Sequence, residues 1–324
     1  MITQIQTKRT PTVATSPHMM NLEGMALIKS IGNTPLLPLN RITENISPEV
    51  SIYAKAEWFN PGGSVKDRPA FNIIREALFR GDLLPGMRLL DSTSGNMGIA
   101  YATFGAALDI EVTLAMPRSV SPERVAILRA LGAELIFTDA EEGADGAIRA
   151  VQTLAAEHPD RYYYANQYDN PANWQAHYKT TGPEIIAQTG GEMTHFVVGM
   201  GTSGTITGTA LALREHNPDV EIIAVQPDQA AHSIGGLKHM QTSILPGIYD
   251  PSTPDRTITV SAEQARAMVR RLGREQGYFV GVSAGAAAAA SLQVAQELKQ
   301  GVVVTLFPDA GYKYLSDEAL WNGN

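Results

Sequence analysis

The chain has 324 residues and a formal net charge of −8, from 25 Lys and Arg against 33 Asp and Glu. It holds no cysteine, which excludes disulfides, iron–sulfur clusters, Cys-ligated zinc and a cysteine nucleophile. The sequence shows neither a basic stripe nor an apolar run of about 18 residues, so we expect neither a nucleic-acid partner nor a membrane partner.

The first segment of the chain, 1–22, contains no acidic residue and carries Lys8 and Arg9. It lacks the apolar central region of a secretory signal. We interpret it as a disordered tail, with a transit peptide as the alternative, and we expect a cytoplasmic protein.

Short apolar runs alternate along the chain with stretches of helical spacing, such as Phe71, Ile74 and Leu78 at i, i+3 and i+7. This alternation predicts an α/β fold with parallel sheets flanked by helices. Ligands in such sheets bind where strands end, so we examine each junction from strand through glycine to helix. The predicted strands include Leu89–Leu90, Ile110–Leu114, Leu135–Phe137, Phe196–Val198, Ile222–Val225, Phe279–Val282 and Val302–Leu306.

The first junction runs from Asn60 to Arg68 and reads Asn-Pro-Gly-Gly-Ser-Val-Lys-Asp-Arg. Ser64 and Asp67 have the spacing of a capping box, which predicts that Lys66 lies in the first helical turn. A cation there faces the positive end of the helix dipole, and a lysine that loses its proton easily suits Schiff-base chemistry. The alternative is a capped helix with an exposed lysine.

The second junction, Asp91–Gly98, holds two glycines and three hydroxyl side chains in eight residues. Successive backbone N–H groups and hydroxyls at a helix start form an anion site that suits a carboxylate. The alternative is an ordinary polar loop between a strand and a helix.

The third junction, Gly199–Thr205, matches the G-x-G-x-x-G pattern of dinucleotide-binding folds. Asp228 lies 24 residues beyond Gly204, close to where such a site places an acid for the ribose. The three hydroxyl side chains of the loop suit a phosphate monoester equally well. A dehydrogenase and a phosphate-binding enzyme both stay open at this point.

The fourth junction, Gly281–Gly285, matches the G-x-S-x-G nucleophile elbow of hydrolases. The triad of that fold runs serine, acid, histidine, but the last histidine, His239, precedes Ser283, so the required order fails. We interpret Ser283 as a helix N-cap, either with its hydroxyl toward a ligand or as a plain cap. The histidines show no metal-binding spacing, so no metal is expected, although His177 and His232 could line a cleft.

These four junctions, in this order, resemble the fold-type II pyridoxal phosphate enzymes, and most closely the branch of cysteine synthase (O-acetylserine sulfhydrylase) and cystathionine β-synthase. The resemblance extends from about Leu27 to Ser316. The family fold, which is like that of tryptophan synthase β, implies a smaller mobile domain over 55–163. It also implies a larger domain, 23–54 plus 164–324, that binds the cofactor phosphate. Four further segments resemble family motifs: Ile31–Leu36, Asn166–Asn173, Thr180–Glu184 and Asp309–Ser316.

The resemblance also implies a role for each matching residue. Lys66 would carry the pyridoxal 5′-phosphate cofactor and, once displaced, act as the catalytic base. The cofactor would further be held at its 3′ oxygen by Asn96, at its pyridine nitrogen by Ser283, and at its phosphate by Gly201, Thr202, Ser203, Gly204 and Thr205. The substrate carboxylate would be bound by Thr93, Ser94, Gly95, Asn96, Met97 and Gln167.

The activity implied is β-replacement on an activated serine, O-acetylserine or O-phosphoserine, with sulfide or another sulfur donor, giving L-cysteine. Alternatives are condensation with homocysteine, as in cystathionine β-synthase, and a catalytically silent regulatory homologue. The resemblance also implies a homodimer and a serine acyltransferase as partner.

Two positions depart from the family pattern, and one residue bears on the leaving group. Met97 stands where the family usually has threonine, which removes one hydroxyl donor to the substrate carboxylate. Ser203 stands where the family usually has glycine, a change that we expect to be harmless if its backbone keeps a negative φ. Lys238 could reach an anionic leaving group such as the phosphate of O-phosphoserine, the alternative being a solvated surface lysine.

Overall fold

A computed structural model describes residues 25–93 and 95–322. The predicted tail, 1–22, and Ser94 lie outside these ranges. The strands described are β1 (Leu36–Pro38), β2 (Val50–Ala56), β3 (Arg88–Ser92), β4 (Val112–Pro117), β5 (Glu134–Thr138), β6 (Tyr162–Tyr164), β7 (His195–Gly199), β8 (Glu221–Pro227), β9 (Arg256–Val260) and β10 (Gly301–Phe307). The α-helices described are α1 (Ala26–Lys29), α2 (Asp67–Arg80), α3 (Asn96–Leu108), α4 (Pro122–Ala130), α5 (Gly143–Glu157), α6 (Ala172–Lys179), α7 (Thr181–Gln188), α8 (Gly204–His216), α9 (Ala262–Arg271), α10 (Val282–Glu297) and α11 (Glu318–Trp321).

The strands form two separate sheets. A six-stranded sheet has the order β1-β2-β10-β7-β8-β9, in which only the β1–β2 pair is antiparallel. A four-stranded sheet has the order β5-β4-β3-β6 and is parallel throughout. The predicted α/β fold with parallel sheets flanked by helices is therefore confirmed.

Helices cover both faces of each sheet, which explains the composition of the strands. All six residues of β4 are buried, because α3 packs on one face of its sheet and α5 on the other. A strand buried on both faces needs a continuous apolar run rather than an alternating pattern. In the larger sheet the alanine-rich α10 packs on β10 and β7, where small side chains allow a close approach.

One predicted strand is wrong and several strands were missed. Phe279–Val282 does not form a strand: Val280 makes a single bridge to Ala310, and α10 begins at Val282. The interior strand β2, between β1 and β10, was missed because it carries Lys55, which is fully buried. The carboxylate of Glu184, far away in the sequence, neutralises the charge of Lys55.

The predicted division into two domains stays a prediction, but its borders can be located. The border at 54/55 falls inside β2, and the border at 163/164 falls inside β6. Within the described ranges, no helix is long and apolar enough to cross a membrane.

A buried ion network ties the end of β2 to the starts of α2 and α7. Arg68 is 2% exposed, and its guanidinium donates to both carboxylate oxygens of Glu57 and both of Glu184, at 2.6–2.8 Å. Lys55 completes the network with an ion pair to Glu184 at 2.7 Å. Burial opposes ionisation of Glu184, but the hydrogen bonds and charge of Arg68, then those of Lys55, lower its pKa to about 2. Because these charges are largely removed from water, the loss of any one would leave another without its counter-ion, which is strongly destabilising.

Replacing Arg68 by methionine should lower the free energy of unfolding by roughly 3–5 kcal/mol, because the buried Glu57 loses its hydrogen-bonded counter-ion and Glu184 keeps only its pair with Lys55. Urea denaturation of the cofactor-free protein measures this. Arg149→Met is the matched control: the pair of Arg149 with Glu142 is more than half exposed, so the change should stay below about 1 kcal/mol. Equal losses in the two variants would contradict the role of the network.

Candidate active site

The candidate site is a cavity lined by residues that follow strands of both sheets. Gly204 starts α8 just behind it and does not line it, and Ser94 lies outside the described residues. The predicted site residues that line this cavity are Lys66, Thr93, Gly95, Asn96, Met97, Gln167, Gly201, Thr202, Ser203, Thr205 and Ser283.

Lys66 lies at the start of α2, but the predicted capping box is wrong. The helix begins at Asp67, Lys66 holds the N-cap position outside the first turn, and no described side chain caps this end. Ser64 is bridged to Asp309 beyond the end of β10, and its hydroxyl accepts the backbone N–H of Lys66 at 3.3 Å. The Asp67 carboxylate instead accepts the backbone N–H of Gly62. Ser64 therefore lies two residues before the N-cap position of α2.

The Lys66 amine has the lowered proton affinity that the sequence suggested. Burial lowers the pKa of Lys66 to about 8. Burial also raises the pKa of the adjacent Asp67 carboxyl to about 7. The expectation rested on the helix dipole, whereas removal from water is the cause here. An amine that is partly neutral near pH 7 can act as a nucleophile and as a base.

The second junction forms a preorganised helix start. Asn96 is the first residue of α3, and the Thr93 hydroxyl accepts the backbone N–H groups of Gly95 at 3.0 Å and Gly98 at 3.1 Å. Thr93 therefore fixes the loop, and the remaining N–H groups of the helix start suit an anion.

The Asn96 side chain is held at both ends of its amide. Its Nδ2 donates to Asp309 Oδ2 at 2.8 Å, and its Oδ1 accepts from Lys313 Nζ at 2.9 Å. The Tyr314 hydroxyl also donates to Asp309, at 2.9 Å. Sequence reasoning noted these three partners only as part of a closing family segment, because nothing local links them to Asn96.

Gln167 is positioned by a buried acid that sequence reasoning missed. The backbone N–H of Gln167 and the hydroxyl of Tyr101 both donate to Asp91 Oδ2, at 3.2 and 3.0 Å. The Gln167 side chain donates to the Ser92 carbonyl at 2.6 Å. Burial raises the pKa of Asp91 to about 7. An acid directly after the apolar pair at the end of β3 was the signal available in the sequence.

Met97 has a structural reason to replace the family's threonine. Its side chain is 3% exposed and packs in the core between α3 and the smaller sheet, although it also touches the cavity. As the second residue of α3, it still presents its backbone N–H at the helix start. A hydroxyl donor is lost, but the backbone donor is kept.

The third junction turns from β7 into α8 through a strained serine. Ser203 has φ +68°, so the negative φ on which a harmless replacement depended is not met. The left-handed conformation costs a non-glycine residue roughly 1–2 kcal/mol, which explains the family's glycine. The next residue must be glycine, because a side chain at Gly204 would collide with the Asn173 amide. Asn173 in turn donates to the Thr202 hydroxyl at 3.1 Å.

The cavity residues fit pyridoxal phosphate. The Ser203 hydroxyl is buried and has no hydrogen-bond partner among the described residues, as expected of a group that awaits an oxyanion. It lies at the start of the 13-residue helix α8, whose N–H groups favour phosphate. Lys66, with its lowered pKa, supplies the amine that an aldehyde cofactor requires.

Ser283 lines the cavity, but it is not the N-cap that we expected. Gly281 holds that position, and Ser283 is the second residue of α10. The acid of the dinucleotide-site hypothesis and one candidate cleft histidine lie outside this cavity. Asp228 is exposed, and neither Asp228 nor His232 lines the cavity. Over residues 25–93 and 95–322, no three His, Asp or Glu side chains group as a metal site.

Lys238 lines the cavity and is 9% exposed, so the reading as a solvated surface lysine is wrong. Its ammonium lies 5.0 Å over the Tyr168 ring and 3.6 Å from Asp145 on α5. Burial lowers the pKa of Lys238, although Asp145 opposes this. A long ion pair leaves the ammonium able to exchange partners.

Ser203→Gly should unfold at higher urea than Ser203→Ala, by about 1 kcal/mol in the free energy of unfolding. Both variants lose the hydroxyl, but only glycine removes the strain at φ +68°. The measurement uses cofactor-free protein. Equal stabilities would show that residue 203 stores no strain.

The comparisons with known proteins agree with this geometry. The family model of pyridoxal-phosphate dependent enzymes matches residues 27–309. Cysteine synthase of Aquifex aeolicus is 50% identical over 90% of each chain. The structure is similar to cysteine synthase of Entamoeba histolytica (TM-score 0.87, 36% identity, 100% of this chain and 95% of that one). It is also similar to an O-acetylserine dependent cystathionine β-synthase from Helicobacter pylori (TM-score 0.85, 35% identity, 90% and 96%). The chain belongs to the family of pyridoxal-phosphate dependent enzymes.

Proposed function

We propose that the chain catalyses β-replacement on an activated serine, O-acetylserine or O-phosphoserine, with sulfide or another sulfur donor, giving L-cysteine. One observation carries the proposal. A lysine of lowered pKa, a helix start suited to phosphate and a helix start suited to a carboxylate line one cavity. The similarity to cysteine synthases over most of the chain supports the same reaction.

The loop Gly201, Thr202, Ser203, Gly204 and Thr205 would bind the cofactor phosphate, Ser283 would hold the pyridine nitrogen, and Asn96 would hold the 3′ oxygen. When bound, pyridoxal phosphate supplies the electron sink for the carbanion at the substrate Cα. Ser283 is a neutral partner, unlike an acid that would keep the pyridine nitrogen protonated.

The substrate carboxylate is bound by Thr93, Ser94, Gly95, Asn96 and the backbone of Met97, with Gln167 beside them. Lys66 removes the α-proton, and the bond from Cβ to the acyloxy or phosphate leaving group breaks. The sulfur nucleophile then forms a bond to Cβ, and Lys66 returns its proton to Cα. Holding the carboxylate draws the smaller domain, 55–163, over the cavity and excludes water from the reacting carbon.

The family resemblance supports three further parts of the proposal: a homodimer, a cytoplasmic location, and a serine acyltransferase as partner. One specific observation favours a second function. The similarity to an O-acetylserine dependent cystathionine β-synthase makes homocysteine a second candidate thiol.

The cofactor-loaded protein should form L-cysteine from O-acetylserine and sulfide, detected by amino-acid analysis. Lys66→Ala should abolish it, since no base remains at Cα. Lys299→Ala, an exposed lysine far from the cavity, is the control and should keep full turnover. A loaded wild type without turnover of any β-substituted serine would support the silent regulatory homologue. Faster turnover with homocysteine would favour the cystathionine reading, and nicotinamide binding without pyridoxal phosphate binding would favour a dehydrogenase.

Lys238→Met should lower kcat/KM for O-phosphoserine by roughly 10-fold more than for O-acetylserine, because a charged contact to the phosphate is lost. Methionine keeps the length of the side chain and its packing on Tyr168. Steady-state rates with both substrates give the ratio. The same loss for both substrates would show that Lys238 does not select the leaving group.

A further inference from the structure

His177 lies behind the phosphate loop, outside the cavity lining, and both of its ring nitrogens are engaged by threonines. It is a fully buried residue of α6. Its Nδ1 is 2.9 Å from the hydroxyl oxygen of Thr181, the first residue of α7. Its Nε2 is 3.3 Å from the hydroxyl oxygen of Thr205, the second residue of α8 and a member of the phosphate loop.

The ring is neutral, which restricts how these hydrogen bonds are made. Burial, and then the positive charges of Lys66 and Arg68, hold the pKa of His177 well below its usual range. A neutral imidazole has one N–H donor and one acceptor nitrogen. One threonine must therefore donate its hydroxyl proton to the ring, and the other must accept a proton from it.

Only one of the two arrangements leaves Thr205 suited to an anion. If Nε2 carries the proton, it donates to Thr205, and the Thr205 hydroxyl proton is free to point into the cavity. If Nδ1 carries the proton, the Thr205 hydroxyl donates to Nε2, and only its oxygen lone pairs face the phosphate. In that second arrangement the Thr181 proton also lacks an acceptor, since its hydroxyl makes no other hydrogen bond within the described residues. Both arguments select the Nε2–H form.

We propose that His177 is a positioning residue for the cofactor phosphate: Thr181 donates to Nδ1, Nε2–H donates to Thr205, and Thr205 donates to the phosphate. The hydrogen bonds form a relay from α7 through α6 to α8. It rests on the proposed function, in which Thr205 binds the phosphate. Thr181 does not contact the phosphate in this arrangement, but its hydrogen bond to Nδ1 determines that the Thr205 hydroxyl donates to the phosphate.

The first test is the tautomer of His177 in the cofactor-loaded protein. The chain has seven histidines, so 15N-histidine labelling with long-range 1H–15N correlation gives few signals, and those of His177 are identified by their loss in His177→Gln. We expect protonated Nε2 and unprotonated Nδ1. A protonated Nδ1 would overturn the relay. The tautomer is read in the wild-type protein, and His177→Gln serves only to identify the signals.

The second test is the affinity of cofactor-free protein for pyridoxal phosphate, by absorbance titration. Thr181→Val keeps the shape of the side chain but cannot donate, and should raise Kd by roughly 3- to 10-fold. Thr181→Ser keeps the hydroxyl and should bind like the wild type. His177→Asn, which reaches only the Nδ1 position, should bind more weakly than His177→Gln, which restores a donor near Nε2. Equal Kd values for Thr181→Val and Thr181→Ser would overturn the relay.

Thr205→Val separates failure of the relay from failure of the proposed function. A raised Kd in Thr205→Val, with no difference between the Thr181 variants, would refute the relay alone. An unchanged Kd in Thr205→Val would refute the phosphate role of Thr205 and with it the relay, whereas the proposed function fails only if the loaded wild type turns over no β-substituted serine. The 31P chemical shift of the bound cofactor should move in Thr181→Val and stay in place in Thr181→Ser.

Discussion

The starts of helices that follow parallel strands carry the binding capacity of this molecule. Each such start leaves backbone N–H groups without intrahelical partners, and the helix dipole adds partial positive charge. The strands before α3 and α8 belong to different sheets, yet residues at the starts of α3, α8 and α10 line one cavity. A chain with a net charge of −8 can therefore present sites for a phosphate and a carboxylate without a basic surface.

Burial adjusts the chemistry of the ionisable groups in and around the cavity. It lowers the pKa of Lys66 and raises that of Asp91, so that both groups can change protonation state near neutral pH. Burial keeps His177 neutral, so that its ring donates one hydrogen bond and accepts another without carrying a charge. The neighbouring Arg68 stays charged because two carboxylates face it. Opposite outcomes at adjacent buried groups follow from whether a counter-ion is present.

The two departures from the family pattern have different physical origins. Met97 places its side chain in the core, and as the second residue of α3 it still presents a backbone N–H group at the helix start. Ser203 gains a hydroxyl toward the phosphate loop but holds a left-handed backbone that favours glycine. The first change concerns packing. The second adds one hydrogen-bond donor at the cost of a strained backbone conformation.

The sequence by itself determined the α/β fold and the four junctions, because apolar periodicity and glycine-rich turns are local signals. The cofactor class followed from the resemblance of these junctions, in their order, to a known family. Local reasoning failed where a distant segment competes for the same group. Ser64 is bridged to Asp309 and does not cap α2, and the charge of Lys55 inside β2 is neutralised by Glu184. Only the tertiary structure brought Asp309, Lys313 and Asp91 to the site residues that they hold, and placed His177 behind Thr205. Those contacts join segments far apart in sequence, and their hydrogen-bond directions depend on burial that no local pattern encodes.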